Sequence, residues 1–349
     1  MDALAPERPW LAARPDDFAA ALPKGGGRVL VLCHNDADGL TSGAVLARGL
    51  ARVGEVPTVR LVGRFESAWS PTIAGEIRAQ DPALLVVADL GVRADPLGAP
   101  AVLIDHHVPQ GLPEGTTVIS GYGRDPTPSS SLLAYQCLRG VTEADDLLWI
   151  AALGLVGDYS EKAPFAELAE ARTRHKAKVL REATSLINAP RRSATGDARP
   201  AFELLMKADG PEDVVSGAHP ETAVLQAARD EVKAELDAAR RLAPRFAGPV
   251  ALIEMDSPCQ IHPLIAQSWT GRLRQQIVIA ANRGFREGQV HFAVRSATGR
   301  NLVAFLREHA PPGAAESGAY GQGHEQATGG ALSTDDWATF LAGLGFKPR

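Results

Sequence analysis

Acids and imidazoles stand at four places in this chain, each just after an apolar run. His34-Asn35-Asp36-Ala37-Asp38-Gly39 follows residues 28–33, Asp89-Leu90-Gly91 follows 84–88, and Asp105-His106-His107 follows 101–104. Gly157-Asp158 closes a helical pattern that runs over 144–156. The first three runs are short and rich in Val, Leu and Ile, so they predict strands. Side chains two apart on an extended backbone point the same way, which places His34, Asp36 and Asp38 on one side of the first strand's end. Runs without polar alternation suit parallel strands covered on both faces, and in such sheets ligands collect in the crevice beyond the carboxyl ends. Asp89, Asp105 and Asp158 are expected to meet the first cluster there.

Aspartates and histidines gathered without matching lysines repel one another unless cations sit among them. Mixed carboxylate and imidazole ligands with no cysteine favour manganese, with magnesium as the alternative, over a structural zinc. Two such ions, roughly 3.5 to 4 Å apart, would clamp the attacking and leaving oxygens of a phosphodiester and lower the pKa of a water between them. An aspartate shared by both ions is the natural bridge. The chemistry these residues suit is metal-dependent phosphoester cleavage.

With these residues in view the chain resembles the DHH phosphoesterase superfamily, in its RecJ-like branch with a C-terminal DHH-associated domain. The segment from His34 to Gly39 resembles the first motif, Asp89 the second, Asp105-His106-His107 the third and Gly157-Asp158 the fourth. The resemblance implies that Asp36, Asp38, Asp89, His106 and Asp158 ligate two Mn²⁺ ions with Asp89 bridging. It further implies that His107 lies near the scissile phosphate and that Asp105 orients a ligand from behind. Many members carry a histidine four residues before the first aspartate; this chain has Leu32 there and His34 two before, the form of the archaeal RecJ-like proteins. His34 is counted among the metal ligands.

A second match lies near the carboxyl end. Arg295, on an alternating strand pattern, and the segment Gly321-Gln322-Gly323-His324 resemble the DHH-associated domain, whose signature is a glycine-glycine-histidine loop after an arginine-bearing strand. Arg295, Gly321, Gly323 and His324 are therefore the expected substrate-binding residues, glycines letting backbone amides approach a phosphate that an arginine grips. Ile187-Asn188-Ala189-Pro190-Arg191-Arg192 resembles a RecJ segment in which an asparagine-alanine pair precedes a substrate-facing arginine.

Taken singly these features are weak: an Asp-x-Asp after a strand is commonly a turn or cap, and glycine-rich segments are commonly turns. Four strand or helix ends supplying acids in family order are harder to explain as structure alone. Ser129 before Leu132 reads as a helix N-cap whose neighbouring amides could also contact phosphate. Cys33, Cys137 and Cys259 have no paired or metal-ligand spacing and read as buried thiols.

The expected fold is α/β: a parallel-sheet DHH domain with flanking helices, a helical connector, and a smaller α/β DHH-associated domain across a cleft. The boundaries are 1–24 for an N-terminal arm, 25–190 for the catalytic domain, 191–246 for the connector and 247–349 for the substrate-binding domain. No run approaches the roughly 20 apolar residues of a membrane span, so a cytoplasmic protein with no membrane partner is expected. With 36 Lys and Arg against 41 Asp and Glu, the net charge of −5 excludes a protein that tracks long duplexes by charge. The expected activity is manganese-dependent hydrolysis of single-stranded DNA or RNA, or short oligonucleotides, to mononucleotides. The alternatives are a phosphodiesterase of cyclic or linear dinucleotides or adenosine bisphosphate, and a non-catalytic scaffold of the kind Cdc45 represents among RecJ relatives. A homodimer is left open.

Overall fold

Apolar runs in the first half become strands buried on both faces, as an all-parallel sheet requires. The computed structural model describes residues 13–24, 26–159, 162, 164–315 and 320–347, with the side chains of Tyr159, Gln322, Gly323 and His324 outside that set. The N-terminal arm is thus described from residue 13, where one short helix forms, α1 (Phe18–Ala21).

After it come β1 (Val29–His34), α2 (Ala37–Arg52), β2 (Thr58–Val62), α3 (Pro71–Gln80), β3 (Leu84–Ala88), β4 (Ala101–Asp105) and β5 (Thr117–Ser120). All pairings are parallel and the order is β2-β1-β3-β4-β5. The chain leaves β1 to one side for β2 and returns on the other for β3, so β1 and β3 flank the point where winding reverses. Alternation divides the strand side chains between two cores. Val29, Val31, Cys33, Val86, Ala88, Val102 and Ile104 face one, and Leu30, Leu32, Leu85, Val87 and Leu103 face the other.

The first core is roofed by α2 together with α4 (Ser130–Arg139), α5 (Leu148–Tyr159), α6 (Ala166–Arg174), α7 (Ala177–Asn188), α8 (Arg199–Lys207) and α9 (Pro211–Ser216). The second is covered by α3 through Ile73 and Ile77. Cys33, Cys137 and Cys259 are all buried thiols.

Beyond these lies α10 (Pro220–Ala239), and then β6 (Arg245–Ala247), β7 (Val250–Met255), α11 (His262–Thr270), β8 (Ile277–Arg286) and β9 (Gln289–Ser296). The chain closes with α12 (Leu302–Glu308), β10 (Tyr320–His324), β11 (Ala327–Ser333) and α13 (Thr334–Gly343). Packing divides the molecule into two units, residues 1–191 with 196–227, and residues 192–195 with 228–349. The helical stretch set apart by sequence as a connector is shared between them, the division falling inside α10.

The second unit is a six-stranded sheet in the order β10-β11-β9-β8-β7-β6, parallel only between β7 and β8. One face carries α12, α13 and an aromatic cluster of Phe292, Tyr320, Trp337 and Phe340; the other carries α11 and Val232, Leu236 and Ala239 of α10. The expected glycine-rich loop is a hairpin here. Tyr320 pairs with Gly330 and Gln322 with Gly329, and the register shift between them is made at Gly321, whose φ of +71° suits glycine.

Gly154 of α5 shows how tightly the first unit is packed. A Cβ there would meet Ser131 Oγ at 2.1 Å, Asp38 Oδ1 at 2.6 Å and Thr41 Oγ1 at 2.6 Å, none of which has room to move. Gly154→Ala should therefore destabilise the protein by about 1–3 kcal/mol despite the better helix propensity of alanine. Urea denaturation checks this, and a stability equal to the wild type would show that α5 can shift away from α2 and α4.

Candidate metal centre

β1 ends at His34, and the backbone remains extended only as far as Asp36, after which α2 begins. Asp36 is the N-cap of α2, its Oδ1 accepting the Gly39 N–H at 3.1 Å, and Asp38 already lies in the first helical turn. The expectation that His34, Asp36 and Asp38 alternate along an extended backbone is corrected by this helix start, because an aspartate is a strong cap and ends the strand geometry at its own position. Convergence survives by another route. Asp38, 1 % exposed, accepts the N–H groups of Ser130 at 2.7 Å and Ser131 at 3.0 Å, the first residues of α4. Free amides at a helix start are an anion site, and here they hold a carboxylate. Ser129 caps α4 as expected, accepting the Leu132 N–H.

Asp89 is the first residue past β3. Its N–H continues the ladder to the Ile104 carbonyl at 3.0 Å, and its φ of +63° turns the chain out of the strand. Left-handed backbone at a non-glycine residue costs energy, and aspartate tolerates it better than most. Its Oδ1 accepts the Ser130 hydroxyl at 3.0 Å, and its Oδ2 lies 3.5 Å from His34 Nδ1. Asp105, the last residue of β4, accepts the Gly91 and His107 N–H groups, each at 2.7 Å, and its Oδ1 lies 3.2 Å from His107 Nδ1. His106 reaches two acids, with Nδ1 3.5 Å from Asp38 and Nε2 3.4 Å from Asp158, which α5 delivers from the opposite side.

His34, Asp36, Asp38, Asp89, His106, His107 and Asp158 are thus brought together from four segments. Three donor trios form, each with its atoms within 4.8 Å of one another: His34, Asp36 and Asp89; Asp89, His106 and His107; Asp38, His106 and Asp158. Asp89 and His106 each serve two trios. All of the clustered residues but Asp38 line one cavity of about 370 Å³. Charge-dense oxygens and imidazoles at that spacing fit divalent cations.

Residues 28–157 match the DHH family, N-terminal domain. The single-stranded-DNA-specific exonuclease RecJ of Salmonella typhimurium is 34% identical over 119 residues, which is 31% of this chain and 21% of that protein, so the match spans about a fifth of the relative's length. The chain carries a DHH-family domain of RecJ-like type. Its whole fold is similar to that of exonuclease RecJ bound to manganese, with a TM-score of 0.72 at 19% identity over 99% of this chain and 95% of the other. RecJ from Thermus thermophilus in complex with Mn²⁺ also has a TM-score of 0.72 at 19% identity, over 98% of this chain and 55% of that one.

Three further residues contribute to the DHH domain's site in roles that sequence reasoning did not assign to them. Ser130 holds Asp38 through its N–H and Asp89 through its hydroxyl, and the only signal was its place at a helix start. Arg191, from the stretch after α7, places Nη1 2.5 Å from Asp36 Oδ2, while Asn188 Oδ1 accepts the Ala37 N–H at 3.3 Å. Both belong to the segment read as preceding a substrate-facing arginine, and both act on the start of α2.

The acids respond to their crowding. Burial, then the charges of Asp36 and Asp38, pushes Asp89 well above the ordinary carboxylate range. Burial, then Asp38, Asp89 and Asp36, pushes Asp158 up to about 10. Burial would raise Asp36 too, but His34 and Arg191 beside it hold it well below its ordinary value. Asp105 is also lowered: burial opposes its charge, but its bond to His107, the charges of His107 and His106 and the Gly91 amide together outweigh that. Burial works against a charge on His107, yet Asp105 raises it to about 9; burial lowers His106. At neutral pH Asp158 therefore holds a proton unless a cation takes its place, and Asp89 is pushed in the same direction.

The expected substrate-binding residues lie in the second unit. Arg295 donates from Nη1 to the carbonyls of Val294 at 2.9 Å and Thr328 at 3.2 Å, and it lines a cavity of about 410 Å³ with Arg274, Gln267 and Thr270. Gly321 and Gly323 lie on β10 with His324 at its end, and the His324 side chain is outside the described residues. A larger cavity of about 720 Å³, bordered by α10, β6, β7 and α13, contains none of the expected site residues.

A proton retained on Asp158 is one the unfolded chain releases near 3.8, so without metal this group subtracts from stability as pH rises from there toward 10, and Asp89, raised by burial and its acidic neighbours, acts in the same direction. Manganese should relieve that penalty. The rise in Tm on replacing EDTA with Mn²⁺ should be larger at about pH 8.5 than at about pH 6. Equal rises would show that metal binding displaces no proton.

Proposed function

We propose that this protein is a two-metal phosphodiesterase of RecJ type that hydrolyses single-stranded nucleic acid or short oligonucleotides from an end, releasing mononucleotides. The observation that carries the reading is Asp89, shared between two donor trios in a cavity built at the point where the parallel sheet reverses its winding. His34 and Asp36 would hold one ion, Asp38, His106 and Asp158 the other, with Asp89 between. Manganese is the proposed metal, magnesium the alternative. When bound, the cations lower the pKa of a water and offset charge on the phosphate.

The chain's own residues then have separable tasks. Asp105 fixes His107 through Nδ1, which leaves the imidazolium's Nε2–H to hold a phosphate oxygen and give its proton to the leaving oxygen. Ser130 keeps Asp38 and Asp89 at their spacing, and Arg191 keeps Asp36 ionised. In the second unit, Arg295 and the hairpin carrying Gly321, Gly323 and His324 are assigned to binding the substrate's end. A non-catalytic scaffold would have no use for a complete donor set on a strained backbone, which favours the enzyme.

Asp89→Asn should abolish manganese-dependent release of nucleotides from an end-labelled oligonucleotide while the fold persists; cleavage at the wild-type rate would end this mechanism. Arg295→Ala should raise KM by about tenfold and leave kcat nearly intact, since it removes binding felt equally by substrate and transition state. A kcat loss at unchanged KM would place Arg295 with the reacting atoms instead.

A further inference from the structure

The cavity of the acid cluster is not acidic throughout. Arg93 and Gln110 also line it. Their backbones are joined by a parallel β-bridge, and the Gln110 N–H donates to the Val92 carbonyl at 2.8 Å, so both side chains start from fixed positions. The guanidinium of Arg93 lies over the ring of Trp69, 5.1 Å from its centroid. Trp69 is itself held, packing against the sheet's second core and donating from Nε1 to the Asp95 carbonyl at 3.0 Å.

Four acids line the same cavity, and Arg93 pairs with none of them. Glu66 is taken by Arg60, at 2.9 and 3.0 Å, and by the Gly63 N–H at 2.8 Å. Asp36 has Arg191 and His34, Asp89 has Ser130 and His34, and Asp158 faces His106. Among the described residues the Arg93 side chain makes no hydrogen bond or ion pair. An arginine held over an indole by cation–π attraction keeps its N–H donors open to other partners while losing rotamer freedom in advance. Such a group is preorganised for a phosphate's oxygens, and a polyanion entering a cavity with an anionic floor needs a cation that the floor has not neutralised.

We propose that Arg93, positioned by Trp69, binds the phosphate next to the scissile one, so that the site selects nucleotide chains with at least two successive phosphates over isolated phosphodiesters. The inference rests on the phosphodiesterase reading and specifies its substrate. Arg93 lines the same cavity as Asp89, His106 and His107 and, among the described residues, is bonded to none of them, which leaves it open to a phosphate next to the one they would face. Gln110, its bridge partner, is placed to add a donor to the same phosphate.

The test compares a thymidine dinucleotide, with one phosphate, and a trinucleotide, with two, neither bearing a terminal phosphate. Wild-type protein with Mn²⁺ should prefer the trinucleotide in kcat/KM. Arg93→Gln should narrow that preference about tenfold through KM, with kcat on the trinucleotide held within about twofold, and Arg93→Lys should fall between, keeping charge without the stacked plane. Binding of a phosphorothioate trinucleotide should lose about one unit from the slope of log Kd against log salt in Arg93→Gln. Trp69→Phe, which keeps a ring beneath the guanidinium, should retain most of the preference. An unchanged preference, an unchanged salt slope, or a kcat loss at constant KM would each overturn the assignment. If wild-type protein cleaves neither compound, the phosphodiesterase reading fails, and the salt slope still decides whether Arg93 meets a phosphate.

Discussion

Like charges held within a few ångströms in a buried place are the constraint around which the first unit is arranged. Asp36, Asp38 and Asp105 are held by donors outside the cluster's own carboxylates and imidazole rings. Asp38 takes two amides from the start of α4, Asp105 takes the Gly91 and His107 amides, and Asp36 takes Gly39 and Arg191. Backbone amides cannot swing away as side chains can, so the acids stay poised against their mutual repulsion, and the two cores on either face of the sheet supply the stability that this arrangement subtracts.

Much of this was legible in the sequence for a simple reason. Strands buried on both faces have no polar interruptions, so β1, β3 and β4 stand out as apolar runs, and their ends mark where ligands gather. β2 and β5 lack that mark, since β2 carries Arg60 at its centre with Glu66 and Glu76 around it, and β5 is four residues long. The route by which Asp36 and Asp38 converge was not legible, because Asp-Ala-Asp suits both an extended segment and a helix start, and tertiary packing under α4 and α5 decides between them. Ser130 was hidden for a related reason: a serine in a Ser-Ser-Ser run reads as a cap, and what the freed amides bind depends on a partner 92 residues away.

In the second unit, glycines that suggest a loop lie instead on paired strands, where Gly329 lets β11 approach β9 closely. Period-two alternation marked Arg295 correctly as strand-borne. The arginines nearby have different occupations that composition alone could not separate. Arg283 is tied to Glu254, Arg272 lies over Trp269, and Arg274 shares a cavity with Arg295.

The left-handed turn at Asp89 bears on how such a centre persists over evolutionary time. Its carboxylate is crowded by other acids and its backbone sits where glycine or asparagine would be at ease, so replacing it by either relaxes the molecule twice over. A sturdier molecule is therefore one substitution away at this residue, and the catalysis proposed for the cluster is what an aspartate there would serve.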